Sequence, residues 1–157
     1  MRLRTRLLGV TAGCLGMVAA TVLSAAPAQA TVCTGLNCGK VKNKSTAGMH
    51  FTVDLGSGGD RCDVWNYDGG NKEKWKYAKC GQTFLGAGKS KGGAGSGVDV
   101  DAFTFNGTSY GLRMYSDTAP VQTRKKGIWT KIRGDEVATC KQKYGRPECV
   151  VIDTSPL

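Results

Sequence analysis

Met49, Phe51, Val53 and Leu55 alternate with His50, Thr52 and Asp54. A period of two places the apolar set on one face of an extended chain and the polar set on the other, which predicts a half-buried strand over 49–55. The rhythm returns downstream. Residues 98–105 predict a strand, Asn106-Gly107-Thr108-Ser109 a turn, and 110–115 the returning strand. Residues 121–123 are short and extended, and Arg124-Lys125-Lys126-Gly127 form a basic turn. In 128–133, Ile128, Thr130 and Ile132 share one face, with Trp129, Lys131 and Arg133 on the other. Residues 137–140 and 149–152 are expected as short final strands around Tyr144-Gly145-Arg146-Pro147. Helical spacing is not sustained in any window. The pattern predicts an all-β fold, a small disulfide-stabilised antiparallel β-sandwich or barrel.

The densest local signal is RCDVWNYDGGNKEKWKYAKC, residues 61–80. Asp68-Gly69-Gly70-Asn71 tolerate positive φ and suit a chain reversal. An antiparallel register about that turn sets Trp65 opposite Tyr77, Tyr67 opposite Trp75, Asp63 opposite Lys79 and Cys62 opposite Cys80. One register thus satisfies a disulfide, two aromatic pairs and an ion pair together. The aromatics Trp65, Tyr67, Trp75 and Tyr77 then line one face of the hairpin. That face reads first as core and, in the alternative, as a platform for sugar rings or bases.

Two stretches lack the alternation. Residues 31–43 are polar and contain glycine, a short stapled lead-in. Residues 86–97, GAGKSKGGAGSG, are expected to form a flexible loop joining two halves of the fold. Gly88-Lys89-Ser90 echoes a phosphate-binding loop, but Thr83 stands where the first glycine is required. No nucleotide site and no cofactor are therefore expected.

The first 30 residues have a different character. Arg2, Arg4 and Arg6 precede an apolar run over 7–23, and Ala28-Gln29-Ala30 offers a small-residue cleavage site. This predicts a secretory signal peptide over 1–30, a single β-rich domain over 31–157, a secreted, extracellular product and no membrane span after processing. Losing the three arginines would lower the formal charge from +10 to +7. That excess draws a protein toward anionic surfaces, so an anionic cell-surface polymer, a polysaccharide or nucleic acid is the expected partner class, beside a protein partner. Cys33, Cys38, Cys62, Cys80, Cys140 and Cys149 follow the leader. An even count in an exported chain predicts disulfides, and spacing favours Cys33–Cys38, Cys62–Cys80 and Cys140–Cys149.

Candidate chemistry is sparse. His50 is the only histidine and stands on the polar side of its strand. It is the one candidate general acid or base for a secreted nuclease-like enzyme or toxin, and otherwise an ordinary exposed strand residue. Asp99 and Asp101 share a strand face and are the only metal candidates, against the simpler reading of a solvated strand edge. The loop 144–148 between Cys140 and Cys149 is the candidate reactive segment of a protease inhibitor. No nucleophile motif is present, and oxidised cysteines cannot act as nucleophiles. The expected function is therefore non-catalytic binding. Trp129 is expected to emerge between Lys131 and Arg133, with Arg124, Lys125 and Lys126 at the rim, as a patch for an anionic polymer.

Overall fold

The computed structural model describes residue 33 and residues 37–55, 64–65 and 81–155. Among these the chain is all-β, with eleven strands and no helix. The strands are β1 (Lys40–Lys44), β2 (Met49–Thr52), β3 (Val64–Trp65), β4 (Thr83–Leu85), β5 (Ser90–Gly92) and β6 (Ala102–Thr104). They continue with β7 (Tyr110–Met114), β8 (Gln122–Arg124), β9 (Trp129–Lys131), β10 (Glu136–Lys143) and β11 (Arg146–Asp153). A six-stranded sheet runs β5-β1-β10-β11-β7-β8, and a five-stranded sheet runs β3-β9-β6-β2-β4. Neither order closes on itself, so no barrel is formed among the described residues. The pairing is mixed: β1 with β10, β11 with β7, and β3 with β9 are parallel.

Alternation in the six-stranded sheet is in phase from strand to strand. Val41 lies opposite Ala138, Ala138 opposite Val151, and Val151 opposite Met114. The next inward row joins Asn43, Cys140, Cys149 and Leu112. Met49 and Phe51 of β2, Leu85 of β4 and Phe103 of β6 enter the same apolar cluster from the other sheet. Tyr110 ties the two sheets by polar contacts. Its hydroxyl donates to the Ile128 carbonyl at 2.8 Å and lies 2.7 Å from Thr130 Oγ1. Asn43, fully buried, donates to the carbonyls of Ala47 and Leu85 at 2.9 and 3.0 Å and accepts from the Ser45 amide and hydroxyl. A buried amide is tolerated only when its donors and acceptors are met in this way.

Two disulfides are present among the described residues, Cys33–Cys38 and Cys140–Cys149. The second bridges directly opposed residues of β10 and β11. Cys62–Cys80 and the ladder positions Tyr67, Trp75 and Tyr77 lie outside the described residues. Trp65 falls in β3, which pairs with β9 and not with a described hairpin partner.

Three expectations need correction. The 86–97 stretch is not simply a loop: Ser90–Gly92 form β5 and pair antiparallel with β1. Gly92 permits this with φ 81°, and a Cβ there would stand 2.1 Å from the Gly39 carbonyl oxygen. The lead-in also holds a strand, β1, whose partner β10 lies almost a hundred residues downstream. The final turn is tighter than four residues. Tyr144 and Gly145, with φ 49° and 77°, form a two-residue connection, and Arg146 and Pro147 already pair with Lys143 and Gln142.

Candidate functional site

The expected Trp129 patch does not exist as an exposed surface. Trp129 is 6 % exposed and Arg124 likewise 6 %. The parity argument assumed a strand with one wet face. Instead β9 is an interior strand, between β3 and β6, and Trp129, Thr130 and Ile132 are all buried. Arg124 points inward beside Tyr110, with Nη2 donating to Gln122 Oε1 at 2.7 Å. Burial pushes its guanidinium down to about 10, against the opposing influence of Tyr110. Arg133 is exposed but committed, with Asp135, Glu136 and Asp153 within 3.4, 3.1 and 3.2 Å of its guanidinium. Lys131 is half-buried, and only Lys125 and Lys126 of the expected patch are open side chains without a charge partner among the described residues.

The other candidates are likewise dispersed. His50 is half-buried, its ring edge-on to Phe84 with centroids 5.5 Å apart. Its Nδ1 is buried and without a hydrogen-bond partner among the described residues, which show no base–orienter pair around it. Asp99 and Asp101 precede β6 and are not in a strand. Asp99 Oδ1 accepts the Gly39 amide at 2.6 Å. Burial, then Asp99 and Asp54, raise the Asp101 carboxyl from 3.8 to about 6, with Lys131 acting the other way. Among the described residues no group of three or more histidines, cysteines and acids could hold a metal. Residues 146–148 belong to β11 and pair with β10, so the backbone that an inhibitor loop must offer to a protease is already used.

What the structure does bring together is the outer face of the six-stranded sheet. On β1, KVKNK places Lys40, Lys42 and Lys44 outward while Val41 and Asn43 are buried. On β10, Thr139, Lys141 and Lys143 share that outward side, since Ala138 and Cys140 face the core. Register sets Lys42 beside Thr139 and Lys44 beside Lys141. Continuing across, Lys141 meets Glu148, and Thr139 meets Val150, which meets Arg113. A hollow of about 470 Å³ lies over these strands, walled by Arg113, Lys141, Lys143 and Asp117, with Val150 and Ile152 contributing apolar surface.

Glu148 anchors the hollow. It is 9 % exposed, and its Oε1 takes Arg113 Nε at 3.0 Å and Lys143 Nζ at 3.2 Å. Burial alone would raise this carboxyl, but those hydrogen bonds and charges outweigh it and hold the group below the usual range. A carboxylate so held is a poor proton acceptor and a good clamp for two cations. Gly111 gives it room, because a Cβ there would stand 2.8 Å from Val121 Cγ1 and 3.3 Å from Glu148 Cγ. Among the described residues Lys40, Lys42, Lys44 and Lys141 take part in no ion pair. The face thus carries a strip of uncompensated ammonium groups beside a cluster in which one carboxylate is shared by two cations. Its sequence signal is lysine at every second position in 40–44 and again at 141 and 143.

No helix among the described residues is long and apolar enough to cross a membrane. Comparison with protein-family models, with curated proteins and with solved structures gives no match.

Proposed function

We propose that this is a small secreted, non-catalytic binding protein, its two sheets packed as a sandwich, which holds an anionic polymer on the outer face of the six-stranded sheet. The observation that carries the reading is the strip Lys40, Lys42, Lys44 and Lys141, in register on two adjacent strands and without carboxylate partners among the described residues. Like charges set this close repel one another and cost stability. A polyanion relieves that repulsion and releases its own counterions on binding. Disulfides suit the oxidising exterior that the leader at 1–30 implies. Catalysis has little support, because His50 Nδ1 has no orienting partner among the described residues and Glu148 is clamped as a carboxylate.

Titration with polyphosphate, followed calorimetrically, tests the site. Lys42→Gln with Lys141→Gln is expected to abolish most of the affinity at low salt. Lys125→Gln with Lys126→Gln removes the same charge from the β8–β9 turn and is expected to leave binding nearly intact. Equal losses from the two pairs would mean that net charge alone attracts the polymer, and the face would have no special role.

A further inference from the structure

We infer that the polymer is a single-stranded nucleic acid, whose phosphates follow the lysines of β1 and β10 and one of whose bases stacks on Tyr144. The inference rests on the reading of the lysine face given above. Three observations carry it.

The first is direction. β1 runs parallel to β10, so the strip leads from Lys40 through Lys42 to the paired Lys44 and Lys141, then to Lys143 and the turn at Tyr144. Outward residues on one strand repeat about every 6.6–6.8 Å, and the strip is roughly 20 Å long. A chain with charge at every unit can touch several of these ammonium groups at once, whereas a single small anion cannot.

The second is the donor inventory. Ammonium groups donate hydrogen bonds and accept none. The acceptors nearby are partly engaged: Glu148 Oε1 holds Arg113 and Lys143, and Gln142 Oε1 takes the amide and hydroxyl of Thr46 at 3.3 and 2.9 Å, which leaves the Thr139 hydroxyl on the strip and the Asp117 carboxylate in the wall of the hollow, too few for the lysines present. The ligand must bring the acceptors. Phosphodiesters do so, while a neutral sugar needs acceptors from the protein as well.

The third is Tyr144 itself. It is 89 % exposed and holds φ 49°, at a turn position where Asn, Asp or Gly would sit without strain. Tyr115 is the other non-glycine residue with positive φ among the described residues. Backbone strain retained at an exposed aromatic points to use of the ring. Lys143 Nζ stands 5.4 Å from the centroid of that ring, so a base stacked on Tyr144 would carry its phosphate toward a cation.

The test compares a short oligothymidylate with an abasic chain bearing the same number of phosphates, by fluorescence anisotropy on the full protein, with heparin as a third ligand. The oligothymidylate is expected to bind roughly 5- to 150-fold tighter than the abasic chain, the ratio that stacking of one base supplies. Tyr144→Ala should erase that ratio and leave the abasic affinity unchanged, and Tyr144→Phe should keep it. Tyr144→Asn should also erase the ratio while raising the unfolding midpoint, because Asn accepts the turn geometry, which separates loss of stacking from loss of fold. Equal binding of the two phosphate chains, or equal weakening of both by Tyr144→Ala, would overturn the inference and leave polyanion binding standing. Tighter binding of heparin than of either chain would replace nucleic acid with a sulfated polysaccharide. Failure of all three ligands would remove the underlying reading as well.

Discussion

Replacing Tyr110 by phenylalanine removes one oxygen atom from the place where the two sheets are fastened. Tyr110 belongs to the six-stranded sheet, and its hydroxyl meets the Ile128 carbonyl and Thr130 Oγ1 at the β9 strand of the other. The residue is fully buried, its ring tilted against Phe103 and Phe105 with centroids 5.8 and 5.3 Å away. Those ring contacts survive the substitution, so the apolar contribution is unchanged. What is lost is polar. Ile128 keeps the hydrogen bond from Thr104 Oγ1 at 2.8 Å, and its carbonyl is not orphaned. Thr130 is 0 % exposed and loses its side-chain partner. Two hydrogen bonds at about 0.5–1.5 kcal/mol each, with one hydroxyl left buried, give a loss of about 2–3 kcal/mol. Urea unfolding followed by tryptophan fluorescence should show a lower midpoint at constant slope, since the area exposed on unfolding is the same. Thr130→Val should cost less once Tyr110→Phe is in place, with an interaction energy of about 1 kcal/mol. A loss below about 0.5 kcal/mol, or strictly additive variants, would refute the idea that this hydroxyl joins the sheets.

Two further predictions concern the fold. Asn43→Ala leaves the Leu85 carbonyl without its side-chain donor, while the Ala47 carbonyl keeps the Ser45 hydroxyl at 3.3 Å, and should destabilise by about 1–3 kcal/mol; Asn43→Asp, which cannot donate, should behave similarly in the same urea assay. Asp101 gives a pH signature. Its folded carboxyl titrates near 6, above the unfolded value, so the folded state binds the extra proton and this contribution is lost as pH rises through about 6. Stability should therefore increase on acidification from pH 7 to 5. Asp101→Asn should flatten that rise and stabilise at pH 7 by about 1–2 kcal/mol, a value discounted for partial solvent screening. A variant with the parent's pH profile would assign the dependence to other groups.

The strands that alternate apolar and polar residues near one another in sequence were legible. Residues 49–52, 110–114 and 149–152 fall in strands as expected, because local periodicity reports a buried face directly, whereas Arg146 and Pro147 belong to the last strand and not to the turn. β1 was not, since KVKNK pairs with β10 across almost the whole chain and contains a single aliphatic residue. β5 was hidden for a related reason: its glycines signal flexibility locally, yet the close approach to Gly39 is what they permit. Trp129 shows the limit of parity. Alternation tells which residues share a face, but not how far the second face meets water, and in β9 Trp129 is buried there while Lys131 is only half-buried. The candidate site was divided in the same way. The lysines were visible as charge, whereas their alignment on one face depends on a parallel pairing that no local pattern encodes. Glu148 is an unremarked acid in the sequence and acquires meaning only beside Arg113 and Lys143.

The central claim, that aligned lysines on β1 and β10 bind a polyanion, is tested most directly by the salt dependence of affinity for a single-stranded oligonucleotide. With four lysines engaged, the slope of log K against log salt should be about −2.8, and Lys42→Gln with Lys141→Gln should bring it to about −1.4. Lys125→Gln with Lys126→Gln should leave the slope of the parent. A slope that the β1–β10 pair leaves unchanged, or that both pairs reduce equally, would contradict the assignment of binding to this face.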